Sequence, residues 1–348
     1  MTTIHIRAWR RAVHAAAVPA SVAILLAGAG TAGAQVTPPR PPAPPAPVAP
    51  SRPPQAPRPP RSWFGSGDQG VSRIDTVVAF SPNGSVDLSL IAGSMKLSTW
   101  DRNQVRVVAS TTGEPSLQFD ASSTHVTLEQ ASPWRRGNRD RVGSATYEVT
   151  VPAGARASLS SVSGSIDASG IRGPLEVNTV SGPLDARDIG SSLSVEGVSG
   201  RISVTNVGTE ARIENVSGRI SVAGVGGSLT TETVSGSTRI SGVKGDRVHS
   251  TSVSGDIDFT GLVNGSRLYE FETHSGRAEL RLLSNSSAAV SVETFSGSVS
   301  NDYPGAVRRR NGDSDDDQTN FDYTIGHGDG RVRVQTFSGS VHISQGNP

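Results

Sequence analysis

Apolar residues return in fixed columns through the second half of the chain. Ser-Gly marks the phase. Gly164, Gly182, Gly200, Gly218 and Gly236 are each 18 residues apart, Gly255 follows after 19, Gly276 and Gly297 after 21 each, and Gly339 after 42. In that frame Ile166, Leu184, Ile202 and Ile220 share one column, and Ala168, Ala186, Val204 and Val222 a second. Ile171, Ile189, Val207, Val225 and Val243 make a third, and Leu175, Leu193, Ala211 and Leu229 a fourth, followed by Val177, Val195 and Ile213. Ser, Asp, Glu, Thr or Arg stand between them. Alternation with period two predicts strands that put one face inward and one outward. The β-branched residues of the inward columns suit strands rather than helices. Ser-Gly and Gly173-Pro174 supply corners.

A unit of two short strands and two turns cannot bury its own apolar face. Side chains that recur in phase predict units stacked on their own equivalents. The expected fold is therefore all-β, a parallel β-solenoid (β-helix) with coils of 18–21 residues. Its ladders would run about 4.8 Å apart, so that ten coils span about 45 Å. An antiparallel sandwich also spaces strands every 8–12 residues, but it does not require the same side chain to return every 18.

Residues 161–348 carry the repeats, with an Arg/Asp-rich loop inserted at about 301–323. Residues 63–160 lack the period yet read as strands at Ile74–Phe80, Val86–Ile91, Gln104–Ala109 and Thr146–Val151. They are expected to form irregular first coils or a cap, because a solenoid end is an open sheet edge. In the late repeats Phe295, Phe337 and His274 stand where Val162 stands in the first. They are read here as larger fillers for wider coils.

The N-terminal part differs in kind. Arg7, Arg10 and Arg11, an apolar stretch from about Ala15 to Ala29, and Ala32-Gly33-Ala34 predict a signal peptide over 1–34, cleaved between Ala34 and Gln35. Residues 35–62 form a disordered proline-rich linker that holds 13 of the 22 prolines. Proline fixes φ and lacks an N–H, which favours an extended polyproline II spacer. The expected location is outside the cytoplasm, in the periplasm, on the outer-membrane surface or extracellular. Membrane contact would come only through an uncleaved signal segment.

The formal net charge is +1, but seven of the 32 basic residues and none of the 31 acidic ones precede Trp63. The remainder carries about −6, which argues against nucleic acid as a partner. The chain has no Cys. That excludes a disulfide scaffold, a zinc-thiolate site, a cysteine nucleophile and an N-terminal lipid anchor on cysteine.

Candidate chemistry is sparse. No Gly-x-Ser-x-Gly elbow or phosphate-cradling loop occurs. Asp313, Asp315 and Asp317 alternate as hard oxygen ligands for calcium would, but position twelve counted from Asp313 is Thr324, not the Glu of an EF-hand. Arg308, Arg309 and Arg310 could instead neutralise a solvated acidic loop. Calcium is the one candidate cofactor. Glu196, Glu214 and Glu232 share a column and are expected to stack on an outer face. Arg201 and Arg219, five residues after the first two, are their expected ion-pair partners.

Tyr147-Glu148-Val149-Thr150-Val151-Pro152-Ala153-Gly154-Ala155 leads into the Val-Ser-Gly repeats. Trp100-Asp101-Arg102 precedes the strand at Val105. Ile325-Gly326-His327-Gly328, Val332 to Val334 and Thr336-Phe337-Ser338-Gly339-Ser340-Val341 close the chain. Over residues 71–345 this order resembles the bacterial β-strand-repeat domain of unknown function labelled "putative adhesin". The resemblance implies a β-solenoid on exported or membrane-linked bacterial proteins and carries no catalytic residues. The expected function is a non-enzymatic adhesin or binding module at the cell envelope, meeting an envelope or surface polymer or another protein. A self-assembling scaffold or envelope-sensing accessory protein is the alternative. A polysaccharide-active enzyme stands third, since four Trp and four Tyr leave few aromatic subsites.

Overall fold

The structure is a computed structural model that describes residues 73–112, 117–130, 143–309 and 320–346. The expected signal peptide (1–34), its cleavage site at Ala34 and Gln35, the linker (35–62), and Asp313, Asp315 and Asp317 lie outside the described residues. Every regular element among the described residues is a strand.

The first six strands are β1 (Arg73–Ala79), β2 (Ser85–Trp100), β3 (Gln104–Thr111), β4 (Leu117–Ala121), β5 (His125–Gln130) and β6 (Ala145–Pro152). The central set is β7 (Arg156–Ser169), β8 (Leu175–Ser181), β9 (Leu184–Ile189), β10 (Leu193–Val207), β11 (Ala211–Val225), β12 (Leu229–Ser241) and β13 (Arg247–Gly261). The last set is β14 (Leu268–Thr273), β15 (Arg277–Leu283), β16 (Ala288–Thr294), β17 (Ser298–Asn301), β18 (Val307–Arg309), β19 (Asn320–Ile325), β20 (Gly330–Thr336) and β21 (Ser340–Gly346).

In the central set each coil lies parallel on the coil before it. Leu193 faces Ala211, which faces Leu229, and Ile202 faces Ile220, which faces Thr238. The inward columns are fully buried and join one core that runs from Phe80 to Ile343. Phe259, Tyr269 and Phe271 are among the largest fully buried side chains of that interior. Phe259 meets Tyr269 edge-on at 5.4 Å between centroids and Phe271 at 5.2 Å. The three aromatics expected to fill the interior, His274, Phe295 and Phe337, do not. Their column points outward at the corner.

The Ser-Gly period has a steric cause. A Cβ on Gly218 would overlap the carbonyl oxygen of Gly200, and one on Gly200 would overlap that of Gly182. Gly182, Gly200, Gly218 and Gly236 also hold φ between +126° and +134°, where L side chains are strained. The column continues through Gly255 to Gly276. Just inside it stands a buried polar column. The Asn215 side-chain amide donates to the Ser217 carbonyl at 2.9 Å and the Thr233 hydroxyl to the Ser235 carbonyl at 3.4 Å, bracing the corner from within.

The ends depart from sequence order. β14 and β15 pair with β20 and β21, and β16 and β17 pair with the opposite edges of those same two strands. Gly339 therefore lies between Gly276 and Gly297 in space, although it follows both in the chain. The spacing of 42 is not two coils further along a linear stack. The chain skips one slot, builds the next coil, closes it with antiparallel β19 and β18, and returns to fill the gap. At the other end β2 rests on β7, and β5 and β6 extend the parallel stack beyond it. Antiparallel β3 and β1 then cover β6, and β4 covers β5.

Candidate binding surfaces

The corner opposite Ser-Gly follows the second strand of each coil. Gly170, Asp188, Asn206, Gly224 and Gly242 occupy one column there, each with φ between +56° and +76°. Glycine adopts this left-handed conformation freely, and Asn and Asp are the side-chain-bearing residues that tolerate it best. The sequence thus carries a second 18-residue signal, restricted to Gly, Asp and Asn, that the apolar columns do not reveal.

Because that column and its neighbours Gly190, Gly208 and Gly226 carry little side chain, the corner is hollowed into an open groove of about 670 Å³. It crosses the coils from the end of β6 to the end of β12. At about 4.8 Å per coil that is roughly 29 Å. Trp100 and Asp101 stand at one end, Lys244 at the other, and Arg172 between them. The Arg102 guanidinium lies 5.2 Å from the Trp100 ring centroid, and the indole N–H donates to the Gln104 carbonyl at 2.6 Å, which holds the ring. In mid-groove the Asn206 amide donates to the Asp188 carboxylate at 2.9 Å. The peptide N–H groups of Gly190, Gly208 and Gly226 are already engaged by carbonyls of the preceding coil. Side chains therefore supply the groove's free polar valences.

The second surface is the Ser-Gly corner itself. Val162, Val180, Val198, Val216, Val234 and Val253 stand in line, each 47–50% exposed. The line continues as His274, Phe337 and Phe295. His274 and Phe337 stack at 4.8 Å, as do Phe337 and Phe295, with ring planes 11° and 6° apart. Phe295 is 72% exposed. This column was legible in the sequence. Val180 falls on the outward parity of a strand whose Leu175 and Val177 point inward.

Glu196, Glu214 and Glu232 do stack in register. Their cation is Arg212, not Arg201 or Arg219. Arg212 reaches Glu214 at 2.6 Å and Glu232 at 3.0 Å, and its hydrogen bond to Glu214 is the largest of the effects that raise its pKa. Arg212 sits two residues before Glu214 on the same strand face, whereas Arg201 and Arg219 lie across the corner. Both partners are about half exposed, so the pairs contribute ~0–1 kcal/mol each. Among the described residues no cluster of three or more His, Cys, Asp or Glu is placed to hold a metal. Burial raises the pKa of Tyr147 and Tyr269, whose hydroxyls donate to the carbonyls of Ser89 and Gly245.

The Toastrack DUF4097 family matches residues 85–344, from the first strand of the parallel stack to the last. The chain belongs to this family. Three solved structures are similar to this Toastrack chain. A "putative cell adhesion protein" from Clostridium sporogenes is 11% identical, covering 79% of this chain and 100% of its own, with a TM-score of 0.24. A "putative adhesin" from Bacteroides fragilis is 9% identical, covering 79% and 98%, with a TM-score of 0.36. A "putative lipid binding protein" from Parabacteroides distasonis is 9% identical, covering 79% and 97%, with a TM-score of 0.28. No curated protein matches the chain.

Proposed function

We propose that this Toastrack chain is an exported, non-enzymatic binding module of the bacterial cell envelope, and that its groove takes an extended envelope polymer. The observation that carries this is the length of the groove. An enclosed site suits a compact ligand, whereas a shallow channel crossing successive coils suits a chain with its own repeat. The groups it offers are those a hydroxyl-rich polymer uses. Asp188 and Asn206 exchange hydrogen bonds, Arg172 and Lys244 supply charge, and Trp100 presents an apolar face beside a polar edge. The basic, proline-rich segment ahead of the fold supports display at a distance from the point of export.

The test uses the exported full chain, with its mature N-terminus sequenced and its cell fraction determined. It is sedimented with intact peptidoglycan and with purified envelope polysaccharides. The double variant Asp188→Gly with Asn206→Gly keeps the left-handed backbone and removes both side chains. It should lose tenfold or more in affinity at unchanged Tm, as should Trp100→Ala. Absence of binding to every polymer, or binding indifferent to these variants, overturns the reading. A chain confined to the cytoplasm overturns the envelope assignment.

A further inference from the structure

We infer that two copies of this chain associate side by side, in the same direction, along the valine–aromatic ladder. The surface is distinct from the groove. Six half-exposed valines and two exposed phenylalanines form one line, with His274 between the last valine and Phe337. Together they present roughly 500–600 Å² of apolar side chain, at the upper end of the ~300–600 Å² typical of a monomer's largest patch. It is most of the ~800 Å² that each partner of a standard interface buries. None of these residues is needed to fill the core, since their strands already bury the alternate positions. A solvated line of valine at every coil is costly to display and gains from being covered.

The flanks select the occupant and its direction. Two residues before the ladder, on the first-strand face, stand Glu196, Glu214, Glu232, Glu272 and Glu293. Three residues after it, on the second-strand face, stand Arg201, Arg219 and Arg277, with Asp256 the one acidic residue of that column. Arg201 and Arg219 have no carboxylate partner among the described residues. Glu214 and Glu232 already share Arg212. A two-fold axis parallel to the coil stack sets the acidic flank of each copy against the basic flank of the other, at matching height. A two-fold axis across the stack would set acid on acid and base on base. Charge complementarity therefore favours the parallel pair. In it the stacked His274, Phe337 and Phe295 of one copy meet the same three of the other, as an isologous contact requires.

Sedimentation of the full chain over a range of concentrations should show a monomer–dimer equilibrium. Val198→Glu and Val216→Glu replace half-exposed side chains, so each should leave Tm unchanged at concentrations where the chain is monomeric, while weakening association at least tenfold. Arg201→Glu with Arg219→Glu should weaken it as well. The chain has no cysteine, so Val162→Cys gives a clean test of direction. In the parallel pair this residue faces its own copy and forms a disulfide-linked dimer on oxidation. In the antiparallel pair it faces the Phe295 end and does not. Three results overturn the inference: a chain that stays monomeric at the highest concentration, a dimer indifferent to Val198→Glu, and a dimer that Val162→Cys fails to cross-link. A monomer that sediments with phospholipid vesicles through Val198 and Phe337 also overturns it and gives the ladder to a lipid surface. Groove variants should leave dimerisation untouched, so this inference and the polymer reading fail separately.

Discussion

Between Arg156 and Gly261 each coil lies on the coil before it, whereas between Leu268 and Gly346 the last coil made is sandwiched between two made earlier. Both regions use the same bricks: alternating strands, a Ser-Gly corner, and a glycine seated on the carbonyl of the glycine beneath. They differ in which contacts are local. A central coil meets its neighbour about 18 residues away. In the last set β16 reaches β20 only after the excursion through β18 and β19, and β14 reaches β20 across about 63 residues (Leu268 to Arg331). Non-local closure costs chain entropy before contacts repay it. The central stack is a zipper that can propagate coil by coil. The coil of β14 and β15 lies on β13 in chain order, whereas the coil of β16 and β17 joins the stack only through β20 and β21.

The largest effect expected from that difference comes from ending the chain at Asp329. β20 and β21 each pair on both edges, and Val332, Val334, Val341 and Ile343 are fully buried. At ~1.5–3 kcal/mol for each buried side chain, the loss is about 6–12 kcal/mol. Hydrogen exchange should lose protection across 288–301 and 320–325 and keep it across 175–241. Uniform protection, or uniform loss, would erase the distinction between the two regions.

Corner glycines sharpen it. Gly218→Ala and Gly339→Ala both drive a methyl into a neighbouring carbonyl, on Gly200 and Gly276 respectively. Gly218 carries φ of +129° as well, whereas Gly339 does not lie in the left-handed region. Denaturant melts should give about 3–4 kcal/mol for Gly218→Ala and about 1 kcal/mol less for Gly339→Ala. Equal losses would mean that close approach alone sets the requirement.

Valines six residues apart in one central coil separate its two faces. Val222→Ala removes buried atoms from the core and should cost about 2 kcal/mol, whereas half-exposed Val216→Ala should stay within about 0.5 kcal/mol at concentrations where the chain is monomeric. A cost at Val216 that grows with protein concentration would report association through the ladder.

The last effect appears only in alkali. All four tyrosines, Tyr147, Tyr269, Tyr303 and Tyr323, flank the central coils, which hold none between Ala157 and Ser241. Burial raises Tyr147 and Tyr269 above the usual 10.0. Below pH 10 both states are protonated and these groups leave stability unchanged. Above it the unfolded chain ionises first, so stability falls by up to ~1.4 kcal/mol per pH unit for each such tyrosine until the folded pKa is passed. Exchange measured above pH 10 should loosen the two ends before the middle, and Tyr147→Phe should flatten part of the slope. An alkaline-labile central stack would contradict this.

Much of this molecule follows from its sequence alone. The columns Ile202–Ile220, Val204–Val222 and Leu193–Ala211–Leu229 stated which side of each strand faces inward, and the structure places them in register. That information is local, because period two assigns the faces and period 18 assigns the stacking phase. The outward parity of the Val180 column and the Gly/Asp/Asn restriction at 170, 188, 206, 224 and 242 were present in the same letters. Only the folded chain decided the rest. It placed Gly339 beneath Gly297, turned β3 and β1 antiparallel over β6, gave Arg212 rather than Arg201 to the glutamates, and opened a groove where small corners align. The reason is that coils of one repeat offer nearly equivalent edges. A local pattern states how an edge pairs, whereas which edge it meets depends on chain closure and packing summed over the whole stack.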